Sequence, residues 1–179
     1  MSWLPEDYQV PQGSSQFMKL VKGTNKFRVI GKPIMGFEWW EENSDGRKPF
    51  RVKTFEEAVK SGTEPIKHFW AFAVYNYGAK AVQVLQITQK TIMRAIEGLQ
   101  ADEDWGSPEN YDLVINRTGE GLETEYTVQP KPASKISKEI KEIYEKSDID
   151  LEKLFDGEYP MGDEISEKQV DEANETIPF

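Results

Sequence analysis

A mainly β chain folded as one small, strongly curved barrel is what this sequence predicts, on three observations. Apolar and polar residues alternate with period two through a series of short runs, the pattern of half-buried strands. Gly31, Pro33 and Gly36 interrupt the first and longest run, as bends or bulges in a curved sheet would. Within the strand-rich part, the extended helical stripe is the one that follows Thr88. The 179 residues suffice for one domain of ordinary size around one core.

In chain order, residues 1–16 are rich in Pro, Gly and Ser and read as an arm without regular structure. A long strand pattern runs from Lys26 to about Trp40, with Phe27 and Val29 facing one way and Arg28 the other. Asn43-Ser44-Asp45-Gly46 is a turn signal, so residues 26–53 read as a hairpin. Residues 55–60 suit a short helical turn ended by Ser61-Gly62. Residues 66–77 form the most aromatic run. Period two sets Trp70, Phe72 and Val74 on one face, the expected core, and Phe69, Ala71, Ala73, Tyr75 and Tyr77 on the other. A turn at 77–80 leads into 81–87, its hairpin partner. Thr88 is a candidate N-cap for a helix whose Ile92, Ala95, Ile96 and Leu99 share one stripe. Strands follow at 111–116 and 122–129, and Pro130 and Pro132 are expected to end the compact part. Residues 134–146 suit an amphipathic helix, with Leu151, Leu154 and Phe155 adding a further turn.

Five or six strands with one helix before the last two suggest a Greek-key barrel of the OB type. The full expectation is mainly β, with one or two helices and a disordered acidic C-terminal tail. Its divisions are an arm at 1–16, the barrel at 17–132, a helical segment at 133–155 and the tail at 156–179.

Charge is spread unevenly along the chain. The formal net charge is −10, and residues 147–179 alone carry eleven acids against Lys153 and Lys168. An acidic run is ordinarily solvated. This one finishes on Ile177-Pro178-Phe179, and an exposed apolar tip gains nothing unless something binds it. Residues 17–53 are the counterpart, holding nine cations against four acids, with Phe37, Trp39, Trp40 and Phe50 interleaved. Cations for phosphates and aromatic faces for bases are what binding a single strand requires. The candidate phosphate partners are Arg28, Lys32, Arg47, Lys48, Arg51 and Lys53. The candidate stacking rings are Trp39, Trp40, Phe50, Tyr75 and Tyr77. Trp39 and Trp40 are adjacent, so on a strand they face opposite ways and at least one must leave the core.

Other chemistry finds little footing. Without cysteine there is no disulfide and no thiolate metal site, which fits a cytoplasmic setting. His68 is the single histidine, and Asp102-Glu103-Asp104 is one loop where a metal needs acids converging from several elements. No phosphate-binding Walker loop, dinucleotide-binding glycine pattern or paired-histidine metal motif occurs. No catalytic residue, metal or cofactor is expected. The first residues lack the regions of a signal peptide, and no apolar run approaches the ~18 residues of a membrane span.

The blocks 70–77 (Trp70-Ala71-Phe72-Ala73-Val74-Tyr75-Asn76-Tyr77), 84–92, 102–106 and 119–132 resemble phage-encoded single-stranded DNA-binding proteins. The acidic end with its Ile-Pro-Phe tip resembles that of bacterial ones. The resemblance covers residues 1–132 and the extreme C-terminus. It implies an OB-fold protein that coats single strands in phage replication, recombination or repair, within the bacterial cytoplasm. It also implies a tip, Ile177, Pro178 and Phe179, that docks partner proteins, acids that compete with DNA for the groove, and self-association on DNA. The structural zinc of some relatives is not implied, since this chain has no cysteine. Two other readings stay open: an acidic DNA mimic that occupies a host nucleic-acid enzyme, and an RNA-binding OB protein.

Overall fold

A computed structural model of the protein describes Trp3, residues 16–44 and residues 46–162. Strand β1 spans Gly23–Asn43, 21 residues. Straight, a strand of that length would reach about 70 Å. It bends instead at Gly31, whose φ of 77° is the left-handed conformation that glycine adopts without strain. The register on the antiparallel strand Lys67–Asn76 shifts at the same place, between Ile30 and Ile34.

The bend lets one strand serve two neighbours. Gly23–Arg28 pairs with β5 (Tyr111–Thr118), while Phe37–Asn43 pairs with β2 (Gly46–Val52). β3 (Lys67–Asn76) runs beside both halves, β4 (Ala81–Ile87) pairs with β3, and β6 (Glu125–Ala133) pairs with β5. All of these pairings are antiparallel. The path is β4-β3-β1-β5-β6, with β2 as a side arm on β1. β4 and β6 are not paired, so the sheet is open where a closed barrel was expected. Residues 16–18 cover the free edge of β4: the Met18 N–H donates to the Val84 carbonyl at 2.9 Å, and the Val84 N–H to the Gln16 carbonyl at 2.8 Å. β6 lies at the other edge, where prolines cost no ladder bond. It therefore runs through Pro130 and Pro132 to Ala133 instead of stopping at them.

Among the described residues three α-helices accompany the sheet: α1 (Phe55–Val59), α2 (Lys90–Ala101) and α3 (Lys138–Ser147). The α2 N-cap is Gln89 rather than Thr88, and no side chain caps it. Setting β2 aside, α2 falls between the third and fourth of five strands. It covers one face of the sheet, where Ile92, Met93 and Ile96 close over Phe27, Val29, Phe72, Val74, Leu85, Leu113 and Ile115. Trp70 is only partly buried against this core.

The opposite face has a core of its own. Phe69, Ala71 and Val84 pack against Leu154, with Ile149, Leu151 and Phe155 around it. Coverage on both sides explains why β3 reads as an almost unbroken apolar run. Asp150 caps the 3₁₀ turn Leu151–Asp156, and its N–H donates to the Pro160 carbonyl at 2.8 Å. Gln16 ties the end down: its Nε2 donates to the Gly162 carbonyl at 2.6 Å and its Oε1 accepts from the Met161 N–H at 2.9 Å. Residues 148–162, acid-rich in sequence, thus pack onto the rest of the fold. The tip Ile177, Pro178 and Phe179 lies outside the described residues, as do residues 163–176.

Candidate nucleic-acid interface

With 12 residues, about 18 Å, α2 is too short to cover the whole face it packs on. The second half of β1 extends beyond it. Register there sets Met35 opposite Trp70, Phe37 opposite His68 and Trp39 opposite Phe50. Side chains two apart share a face, so the row from Met35 to Trp39 is about 13 Å long. The connection between β2 and β3 forms the far bank. Phe55 of α1 meets Phe37 edge-on with ring centroids 5.5 Å apart, and Thr63 reaches Glu41 at 3.5 Å. Between α1 and α2 lies a trough floored by Met35, Trp70, Phe37 and His68. Met35, Phe50 and Phe55 are 51 %, 40 % and 54 % exposed, a cluster of open apolar surface rather than isolated residues. His68 Nδ1–H donates to the Gly36 carbonyl at 2.8 Å, which leaves Nε2 as the acceptor of the neutral ring. At the α2 end the trough deepens into a pocket of about 580 Å³, bordered by Met35, Trp70, Phe72 and Lys32.

The residues singled out from sequence divide between the two faces. Lys32 is exposed at the mouth of the pocket, and Lys48, also exposed, alternates to the side of Phe50. Phe50 stacks on Trp39 with centroids 5.8 Å apart and planes 14° off parallel. Trp39 itself is buried, its indole N–H donating to Glu41 at 3.0 Å, so it supports Phe50 and is not an open ring. Trp40 is the tryptophan that leaves the core, 40 % exposed with the Arg47 guanidinium 5.0 Å from its ring. Both lie on the opposite side of the hairpin.

Arg28 is buried and Arg51 largely so, and Lys53, though exposed, is paired away from the trough. Arg28 is 2 % exposed, 2.7 Å from Asp112, and donates to both the carbonyl and the hydroxyl of Ser134. It is an internal strut between β1, β5 and the end of β6. Arg51 lies 3.6 Å from the buried carboxylate of Glu38, which also accepts from Gln86. Burial pulls its guanidinium pKa below the ordinary value, with the neighbouring Glu38 opposing the shift. Lys53 pairs with Glu152 at 3.3 Å and sits 5.4 Å from the Phe155 ring. Arg51 and Lys53 therefore lie beneath or beside the C-terminal segment, away from the trough.

Tyr75 and Tyr77 meet edge to face at 5.1 Å on that same opposite side, at its far half. The Tyr77 hydroxyl donates to Asp112 at 2.8 Å, with Lys26 4.8 Å from its ring. Burial first, and then the bond to Asp112, push the Tyr77 phenol up from 10 to about 12. A raised folded-state value favours the protonated phenol, so its contribution to stability is complete below pH 10 and is lost as pH rises toward 12. Burial also pushes the Tyr111 phenol up, so ultraviolet titration is expected to show two late groups, and Asp112→Asn to bring down the Tyr77 one. A Tyr77→Phe protein that keeps both late ionisations would contradict this assignment.

Met35, Phe37, Phe55, His68 and Trp70 were not among the residues singled out. Phe37 had the right signal, sharing the alternation of Trp39. Trp70 was assigned to the core by its bulk. Among the described residues no group of three or more His, Cys, Asp or Glu is placed to hold a metal ion. Asp102-Glu103-Asp104 is an exposed turn in which the Asp104 N–H donates to the Asp102 carboxylate at 2.8 Å. No described helix is long and apolar enough to cross a membrane.

The chain is similar to the probable ssDNA-binding protein of Escherichia phage T5. The two are 22 % identical over 198 residues, covering 91 % of this chain and 75 % of that protein. No family model and no solved structure matches the chain.

Proposed function

We propose that this chain is a phage single-stranded DNA-binding protein that lays the strand along the trough between α1 and α2. The observation that carries the reading is the row of exposed Met35 and Phe50 with half-buried Phe37 and Trp70, and the similarity to the phage T5 protein agrees with it. Stacked rings accept any base, so binding is largely independent of sequence. Lys32 and Lys48 stand on the trough side for phosphates, with Arg47 at the hairpin tip. The five strands other than β2, with α2 between the third and fourth, suit an OB-type sheet left open between its end strands, and β2 is an added arm. Such a protein coats and protects single strands in phage replication, recombination or repair in the host cytoplasm, with no catalytic role. Its Ile177-Pro178-Phe179 tip recruits partner proteins, and the acids before it compete with DNA.

Titrating oligo-dT against the full chain tests the reading. Phe37→Ala and Phe50→Ala are each expected to weaken binding by about 1–3 kcal/mol, the worth of one stacked base. Tyr75→Ala, on the other face, should leave it unchanged. The reverse pattern would move the interface to that face, and tighter binding to oligo-rU would make the protein an RNA binder.

A further inference from the structure

The trough ends in the pocket beside α2, and we infer that this pocket takes one nucleobase swung out of the strand, with guanine preferred. The inference rests on the single-strand reading above. A volume of about 580 Å³ is in the range of sites that enclose small molecules. Met35 and Trp70, the pair that begins the row, also line the pocket, so a base leaving the row there enters it. Trp70, half-buried, offers ring surface there, which keeps the stacking that an extruded base would otherwise lose.

The rim decides which base. Glu97, near the end of α2, and Glu109, in the turn before β5, both line the pocket. Ionised carboxylates only accept hydrogen bonds. The pairing edge of guanine sets N1–H beside its N2 amine, two adjacent donors that match one carboxylate. Cytosine and adenine present an amine next to an acceptor nitrogen, a single match. Thymine presents one N–H between two carbonyls, which a carboxylate repels. The same negative rim keeps phosphate out, so only the uncharged base enters. Lys32, exposed at the mouth, is the cation for the phosphate beside it.

Fluorescence anisotropy of the full chain with an all-dT oligonucleotide, and with the same oligonucleotide carrying one central dG or one central dA, tests this. The dG strand is expected to bind at least about fivefold tighter than all-dT, the low end for a two-donor base contact. In the Glu97→Gln, Glu109→Gln double variant that ratio should fall toward one. Ala101→Trp, which puts a ring into the pocket from the exposed end of α2, should do the same by occupying the space. Equal affinity for the dG and dT strands would overturn the inference while leaving single-strand binding intact. An equal gain from dA would mean stacking without rim recognition and would also overturn it, as would a dG preference that survives both variants. Failure to bind any of the three strands would remove the single-strand reading and the pocket with it.

Discussion

Arg51→Glu is expected to unfold much of the domain rather than simply to weaken its hold on DNA. The side chains of Arg51 and Glu38 are only 11 % and 6 % exposed, and they lie 3.6 Å apart on the face that the C-terminal segment covers. Removing one partner of a buried pair costs about 3–5 kcal/mol, because the other charge is left without compensation. A second carboxylate at that place adds repulsion. Whole domains are stable by only about 5–15 kcal/mol, so the loss is a large part of the total. Arg51→Met combined with Glu38→Gln should recover much of it, since no unpaired charge then remains. Urea denaturation followed by tryptophan fluorescence reads both proteins. An Arg51→Glu midpoint equal to that of the parent would show that the pair is effectively solvated, and Arg51 would return to the list of possible DNA contacts.

The second large effect separates two parts of the acidic end. A chain ending at Ser147 is expected to lose about 5 kcal/mol or more of stability, whereas one ending at Gly162 keeps its midpoint. Leu154 is 1 % exposed and closes over Phe69, Ala71 and Val84, and truncating one such leucine costs about 2–5 kcal/mol. The shorter chain also loses Phe155, 6.1 Å from the Phe69 ring, and the Lys53–Glu152 pair. Only the chain ending at Gly162 can then report how the remaining acids act on DNA. It should bind oligo-dT more tightly, most clearly at low salt, where charges are least screened. A chain ending at Ser147 that melts with the parent would show that the segment merely rests on the sheet.

The strands were legible because their signal is local. Period two from residue 26 to 40 and from 66 to 87, with Asn43-Ser44-Asp45-Gly46 between strands, returned the two hairpins, the second nearly to the residue and the first three residues short at each end of β1, whose Gly23-Thr24-Asn25 start reads as a turn. Leu122 shows how far that signal reaches. It continues the alternation of Tyr126 and Val128, yet it stands fully exposed in the 3₁₀ turn Gly121–Glu123, because β6 starts only at Glu125. The candidate site was half legible. Lys32, Lys48 and Phe50 reach the trough, while Arg28 and Arg51 look the same in sequence and are buried.

What the sequence determined alone is the β class, the place of α2, the bend of β1 near Gly31 and the concentration of acid at the C-terminal end. Each follows from spacing or composition within a short window. What only the tertiary structure decided is which side of each strand stays open. Arg28 became a strut because Asp112, 84 residues away, meets it across the sheet. Arg51 was enclosed because residues 148–162 fold back over β2 and β3 rather than trailing from the domain. Phe37 and Trp70 stayed half-buried because α2 covers only part of their face and Phe55 of α1 meets Phe37 from the other bank. Alternation says that a side chain has a face; coverage by segments far away in the chain says whether that face meets solvent.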